Sequence, residues 1–173
     1  MVKKLVKLIS FVILFSLTSN YLFASGKYFP AYVDRDQFSG KWFEIARTYN
    51  NFQKDCKDSY VEYVLNEEKY DIKNSCTSVV DNSDISYNGT GKSANENVSN
   101  FSKIKMTYFY IFSKEYQIVY NDNYKFAVVS DDDFESVWIM SRTKSINEDK
   151  LNEILSFLKK YLDLDKLIYE NRG

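Results

Sequence analysis

The chain has 173 residues, with 23 Lys and Arg against 24 Asp and Glu, and it contains no His. A balance this close to neutral argues against a nucleic-acid partner, whose phosphates call for a basic patch. The missing His removes Ser-His and Cys-His nucleophile pairs, an imidazole base and an axial imidazole for haem, so no catalytic residues and no cofactor are expected.

Residues 1–24 read as a secretory signal peptide. Lys3, Lys4 and Lys7 precede an apolar run from Leu8 to Leu17, and Leu22-Phe23-Ala24 before Ser25 supplies a cleavage site. As a retained anchor the segment is marginal, because Thr18, Ser19 and Asn20 interrupt it. Its removal takes three Lys and no acid, which leaves 20 basic against 24 acidic residues, a net charge of −4. The remaining residues 25–173 are enough for one domain with a sizeable core. Export means an oxidising compartment, where the pair Cys56 and Cys76 argues for a disulfide rather than two buried thiols. Two Cys without His do not make a metal site, so no metal is expected.

Beyond Pro30 the sequence alternates with period two over short segments, the pattern of half-buried strands. Gly40 to Arg47 forms the first. Ser59 to Leu65 and Tyr70 to Cys76 follow as a hairpin. Pairing Asn66 with Lys69 leaves Cys56 three positions past the residue opposite Cys76, an offset that a bulge would absorb. Val61, Tyr63 and Leu65 share the inner face with Tyr70, Ile72 and Asn74. Asn88-Gly89-Thr90-Gly91 suits a bulge or bend in the fourth strand. Ile104, Met106 and Tyr108 then share the inner face with Tyr116, Ile118 and Tyr120. Asn121-Asp122-Asn123 suits a tight turn, and Tyr124 to Val129 and Ser136 to Arg142 complete eight strands. One helix follows. Ser145 or Asn147 can cap it, Glu148 and Asp149 suit its first turn, and Leu151, Ile154, Leu155, Leu158 and Leu162 form one apolar stripe. Leu167-Ile168-Tyr169 reads as a short last strand.

Three segments carry a resemblance. Gly40-Lys41-Trp42-Phe43-Glu44-Ile45-Ala46-Arg47 is similar to the G-x-W opening strand of lipocalins. Asn121-Asp122-Asn123-Tyr124 stands at their T-D-Y turn. Trp138-Ile139-Met140-Ser141-Arg142-Thr143 looks like their last barrel strand with its arginine. Together they resemble the bacterial and apolipoprotein D-like branch of the lipocalin family over Tyr32 to Gly173. That implies an all-β fold: an eight-stranded antiparallel up-and-down β-barrel, the lipocalin calyx, with one C-terminal α-helix packed outside and a short final strand. It also implies structural roles for Gly40, Trp42 and Arg142, the arginine crossing the closed end and stacking on the tryptophan.

Alternation alone leaves open whether the inner side chains fill the barrel or line a cavity. The resemblance points to a cavity, with Tyr63, Asn74, Tyr108 and Trp138 at pocket-lining positions. Met106 and Tyr120 join them as ligand-binding candidates from the alternation. Asn74 is polar on an apolar face and needs a partner: a ligand, a water, or Tyr63 across the hairpin. Glu44 reads as a buried acid with no assigned role. The expected function is an exported lipocalin that stores or transports a fatty acid or lysophospholipid and is not an enzyme. Some bacterial relatives carry a lipid anchor on a Cys at the cleavage site. None stands there in this chain, so a soluble protein of the periplasm or cell envelope is expected, with peripheral membrane contact. The alternatives are a filled barrel that acts as an interaction module, and a calyx-based enzyme or isomerase.

Overall fold

The structure, a computed structural model, describes residues 28–170. The expected signal peptide lies outside the described residues. A short helix, α1 (Arg35–Phe38), precedes β1 (Gly40–Thr48), β2 (Cys56–Asn66), β3 (Lys69–Ser78) and β4 (Asp84–Ser93). β5 (Lys103–Tyr108), β6 (Phe112–Asp122), β7 (Phe126–Ser130) and β8 (Val137–Ser141) follow, then α2 (Glu148–Leu158) and β9 (Leu167–Tyr169). Each barrel strand pairs antiparallel with the next, and β1 pairs with both β8 and β2, which closes the eight-stranded barrel. β9 adds to the far end of β1. Closure leaves the barrel without exposed edges.

Two apolar clusters follow from the alternation. The inner one includes Trp42, Tyr63, Tyr70, Ile72, Ile104 and Ile118, with Phe38 and Val33 from the segment before the barrel. The outer one joins Ile45, Val128, Val137 and Ile139 to Leu151, Ile154, Phe157 and Leu158 of α2. Each such side chain, fully buried, contributes about 1.5–3 kcal/mol. Asn147 is the helix cap: its Oδ1 accepts from the Lys150 N–H at 2.8 Å. The helix ends at Leu158, so Leu162 packs from the turn beyond it.

One end of the barrel is shut. The Arg142 guanidinium lies 3.9 Å from the Trp42 ring centroid. It donates to the carbonyls of Tyr124, Lys41, Gln37 and Phe38 at 2.9–3.2 Å. Trp42 Nε1 donates to the Phe38 carbonyl at 2.8 Å, and the Phe38 ring packs on Trp42. Gly40, at φ +90°, leaves the room this needs, because a Cβ there would stand 3.3 Å from Arg142 Nη1.

Three expectations change. β4 carries no bulge: its register with β3 is unbroken from Lys69↔Lys92 to Thr77↔Asp84. Gly89 is required for another reason, since a Cβ there would lie 2.6 Å from Tyr108 Cδ1, so the glycine seats that ring. Leu65 is exposed instead of inward. β1 begins opposite Tyr63, and β2 runs past the closed end beyond it. Tyr120 does not face the interior. A bulge between Ile118 and Tyr120 shifts the register with β7, and a one-residue shift reverses the face, so Tyr120 packs in the outer cluster.

Cys56 and Cys76 are bonded, with Cα atoms 5.5 Å apart. A bulge between Lys57 and Tyr60 sets two residues against one, with Asp58 at φ 54°. It moves Cys56 opposite Ser78, on the same face as Cys76. The bridge closes a loop spanning 20 residues. Urea unfolding with and without reductant, monitored by circular dichroism, is expected to show a loss of roughly 2–4 kcal/mol on reduction. Equal stability in both states would mean that the bridge does not constrain the unfolded chain.

Candidate ligand-binding site

Above the closed end the barrel is hollow. A cavity of about 570 Å3 lies among residues of the strands and of the loops at the opposite end. That size falls within the ~300–1,000 Å3 of small-molecule sites. Of the expected ligand residues, Tyr63, Asn74, Met106, Tyr108 and Trp138 line it, and Tyr120 does not. Val61, Val129 and Met140 also line it. Trp42, Tyr70, Ile72 and Ile104 fill the barrel beneath. The interior is thus filled in its lower part and hollow in its upper part.

The polar groups form two sets. On one wall Asn74 Nδ2 donates to the Tyr108 hydroxyl at 2.9 Å, and that hydroxyl points to Met106 Sδ at 3.8 Å. Asn74 therefore finds its partner in Tyr108, not in Tyr63. Burial pushes the Tyr108 phenol up to about 12, with the Asn74 hydrogen bond opposing, so it stays a neutral donor.

The other set centres on Glu44 and Gln53. Gln53 sits in a 3-10 turn, Asn51–Gln53, between β1 and β2, and the Asn50 side chain caps that turn. Its Nε2 lies 2.8 Å from both Glu44 carboxylate oxygens. Its Oε1 accepts from Trp138 Nε1 at 3.0 Å and from Asn50 Nδ2 at 2.7 Å. A bulge in β1 between Glu44 and Ala46 brings Arg47 opposite Trp138, on the same side as Glu44. Arg47 Nη1 is 4.0 Å from Glu44 but 2.7 Å from Glu170, just past β9. The guanidinium is thus committed mainly to Glu170. Burial pushes the Glu44 carboxyl up to about 7, against the Gln53 hydrogen bond and the Arg47 charge. Glu170 adds to the rise.

Sequence reasoning missed Asn50, Gln53, Phe52, Phe109 and Ile111, all of which line the cavity from loops. Alternation is blind to loops, but one signal was present. Tyr108-Phe109-Tyr110-Ile111-Phe112 is an unbroken apolar run at a hairpin turn, where Gly, Asn or Asp would be usual.

A barrel plugged at one end and hollow at the other defines the calyx class of fold. The model of the Lipocalin-like domain matches residues 33–171. A lipocalin of Acanthamoeba polyphaga mimivirus is 33% identical over 132 residues, covering 73% of this chain and 76% of that protein. The outer membrane lipoprotein Blc of Vibrio cholerae is 28% identical over 138 residues, covering 78% and 80%. Insecticyanin from the tobacco hornworm Manduca sexta superposes with a TM-score of 0.67 at 19% identity, covering 82% of each chain. Lobster apocrustacyanin A1 superposes at 0.63 and 19%, covering 80% and 79%. This chain belongs to the lipocalin family.

The raised Glu44 carboxyl has a consequence for stability. The folded state holds this proton more tightly than the unfolded chain does. Its contribution to stability therefore falls as pH rises from about 4.5 to about 7 and is level above that. Glu44→Gln removes the titration. Across that window the stability of wild type relative to the variant should fall by on the order of 3 kcal/mol. Urea melts of both proteins at several pH values test this, and a difference that does not change with pH would mean Glu44 is not buried as described.

Proposed function

We propose that this lipocalin binds and stores or transports a single-chain hydrophobic amphiphile, of the fatty acid or lysophospholipid class, in its calyx. The observation that carries the reading is the cavity, walled mostly by apolar side chains with a few polar groups set among them. That distribution suits a ligand with one chain and one head group. The reading is of binding without turnover. The absence of His and the closure of both Cys into a bridge support it. We place the protein outside the cytoplasm, soluble in the periplasm or cell envelope. The disulfide, the basic-then-apolar leader and a relative named as an outer membrane lipoprotein favour export.

Peripheral membrane contact through the mouth belongs to the same reading. The loops at the open end expose Tyr49, Phe52, Val79, Val80, Phe109, Ile111 and Phe112, and Tyr110 is fully exposed. Phe109 and Tyr110 hold left-handed backbone at φ 52° and 62°. Each non-glycine residue there costs about 1–2 kcal/mol. Aromatic side chains so presented suit a membrane interface, and an apolar patch of this kind marks an interaction surface.

Titration with a long-chain fatty acid or lysophospholipid should change Trp138 fluorescence and saturate near one equivalent. Affinity should rise with chain length, since each buried methylene contributes about 0.8 kcal/mol. Tyr108→Lys, which sets a charge on the cavity wall, should abolish binding or unfold the barrel. Thr107→Lys, on the opposite face of the same strand, should do neither. Two folded variants that both bind normally would move the site out of the calyx.

The membrane contact has its own test. Wild type should co-sediment with phosphatidylcholine vesicles, and the double variant Val80→Asp, Tyr110→Asp, at two exposed positions outside the cavity lining, should not. Its melting temperature and ligand stoichiometry should stay as in wild type. Equal co-sedimentation would remove the mouth as the contact.

A further inference from the structure

We propose that the calyx selects an amphiphile whose polar group is a hydrogen-bond donor, an amine or a hydroxyl, seated on the Glu44 carboxylate, over one headed by a carboxylate. This rests on the calyx reading above and, within it, ranks a head with a free hydroxyl or amine above the carboxylate of a fatty acid.

Glu44 lines the cavity with its side chain 6% exposed. A carboxylate offers about four lone-pair sites. Here one amide nitrogen, Gln53 Nε2, serves both oxygens. Arg47 stands off at 4.0 Å because its close contact goes to Glu170. Ser59 lies beside the carboxylate, and its buried hydroxyl, which has no other partner, can supply one further bond, which still leaves fewer protein donors than acceptor sites. Glu44 therefore keeps acceptor capacity that the protein does not use. The neighbouring acceptor, Gln53 Oε1, is already taken by Trp138 and Asn50.

The cations point the same way. Among the described residues that line the cavity, Lys114 is the one basic side chain, and it is held by Asp131 at 2.7 Å. A carboxylate head entering the interior would meet Glu44 with no cation released to receive it. Two like charges in a poorly solvated site repel strongly, whereas an ammonium there gains a charge-assisted hydrogen bond. A hydroxyl gains a neutral donor bond to a charged acceptor, which places it between the two.

Dodecylamine, dodecanol and laurate share one chain and differ only at the head. Each is titrated well above neutral pH, with Trp138 fluorescence as readout and the melting temperature as a check on folding. Dodecylamine should bind at least about tenfold tighter than laurate, the value of one hydrogen bond to a charged group, with dodecanol between them. Glu44→Gln should erase the preference for amine over laurate and weaken dodecanol less than dodecylamine, because the hydroxyl exchanges a bond to a charged acceptor for a neutral one whereas the ammonium also loses its counter-charge. Laurate binding as tightly as dodecylamine would overturn the assignment while leaving the calyx reading intact. So would an amine preference that survives in Glu44→Gln. Failure of all three ligands to bind would overturn the calyx reading and this inference with it. The wild-type series decides even if the variant does not fold.

Discussion

The Arg142 guanidinium, stacked on Trp42 and bonded to four backbone carbonyls, draws the segment before β1, the β6–β7 turn and the end of β8 onto one point. Those carbonyls lie at the end of α1, in the first residues of β1 and in the β6–β7 turn, and would otherwise need water. Satisfying them with one delocalised cation lets the end of the barrel close without leaving buried acceptors unpaired. Phe38, Tyr63, Tyr70 and Phe101 extend this closure in successive ring contacts. With the floor fixed, the upper barrel can remain open. Its walls are held by the strand ladder and the disulfide, not by side chains meeting in the middle.

The chemistry of the open part comes from irregularities in the strands. The β1 bulge puts Arg47 on the same side as Glu44 and aims it at Glu170, the residue that follows β9. The β2 bulge aligns Cys56 with the face that carries Cys76. The β6 bulge removes Tyr120 from the interior and gives it to the helix face, where its hydroxyl lies 3.3 Å from Glu153 Oε1. Each bulge exchanges a little regular pairing for a change of face. The result is one wall carrying Asn74 and Tyr108, and another carrying Glu44, Gln53 and Trp138.

The mouth differs in character from the interior beneath it. Its loops present aromatic and aliphatic side chains outward, and the rings of Phe52, Tyr87 and Phe109 stand edge to face across three elements. Phe52, Phe109, Ile111 and Phe112 also belong to the lining of the cavity. The apolar rim is thus continuous with the mainly apolar lining of the cavity.

Period-two alternation placed β2, β3, β5 and β6, because each turns one face to solvent along much of its length, whereas β1, β7 and β8 are buried on both faces and were placed by the motifs they carry or adjoin. The stripe at Leu151, Ile154 and Leu158 located the helix for the same reason, and Gly40, Trp42 and Arg142 marked the closed end. Five of the six expected cavity residues followed from the alternation and the family likeness together. The failure at Tyr120 and the missed inward turn of Arg47 share one cause. A bulge changes which face a residue occupies without changing the residues that signal a strand. Gln53 could not be assigned from its own neighbourhood, since its partners Glu44 and Trp138 lie 9 and 85 positions away. The sequence by itself determined the barrel, its floor and the helix outside, because burial on one side of a regular element leaves a periodic record. Only the tertiary structure decided that the upper barrel is hollow and that Glu44 faces the cavity with unused acceptor capacity. Volume and pairing depend on which side chains meet across the barrel, and local periodicity does not carry that information.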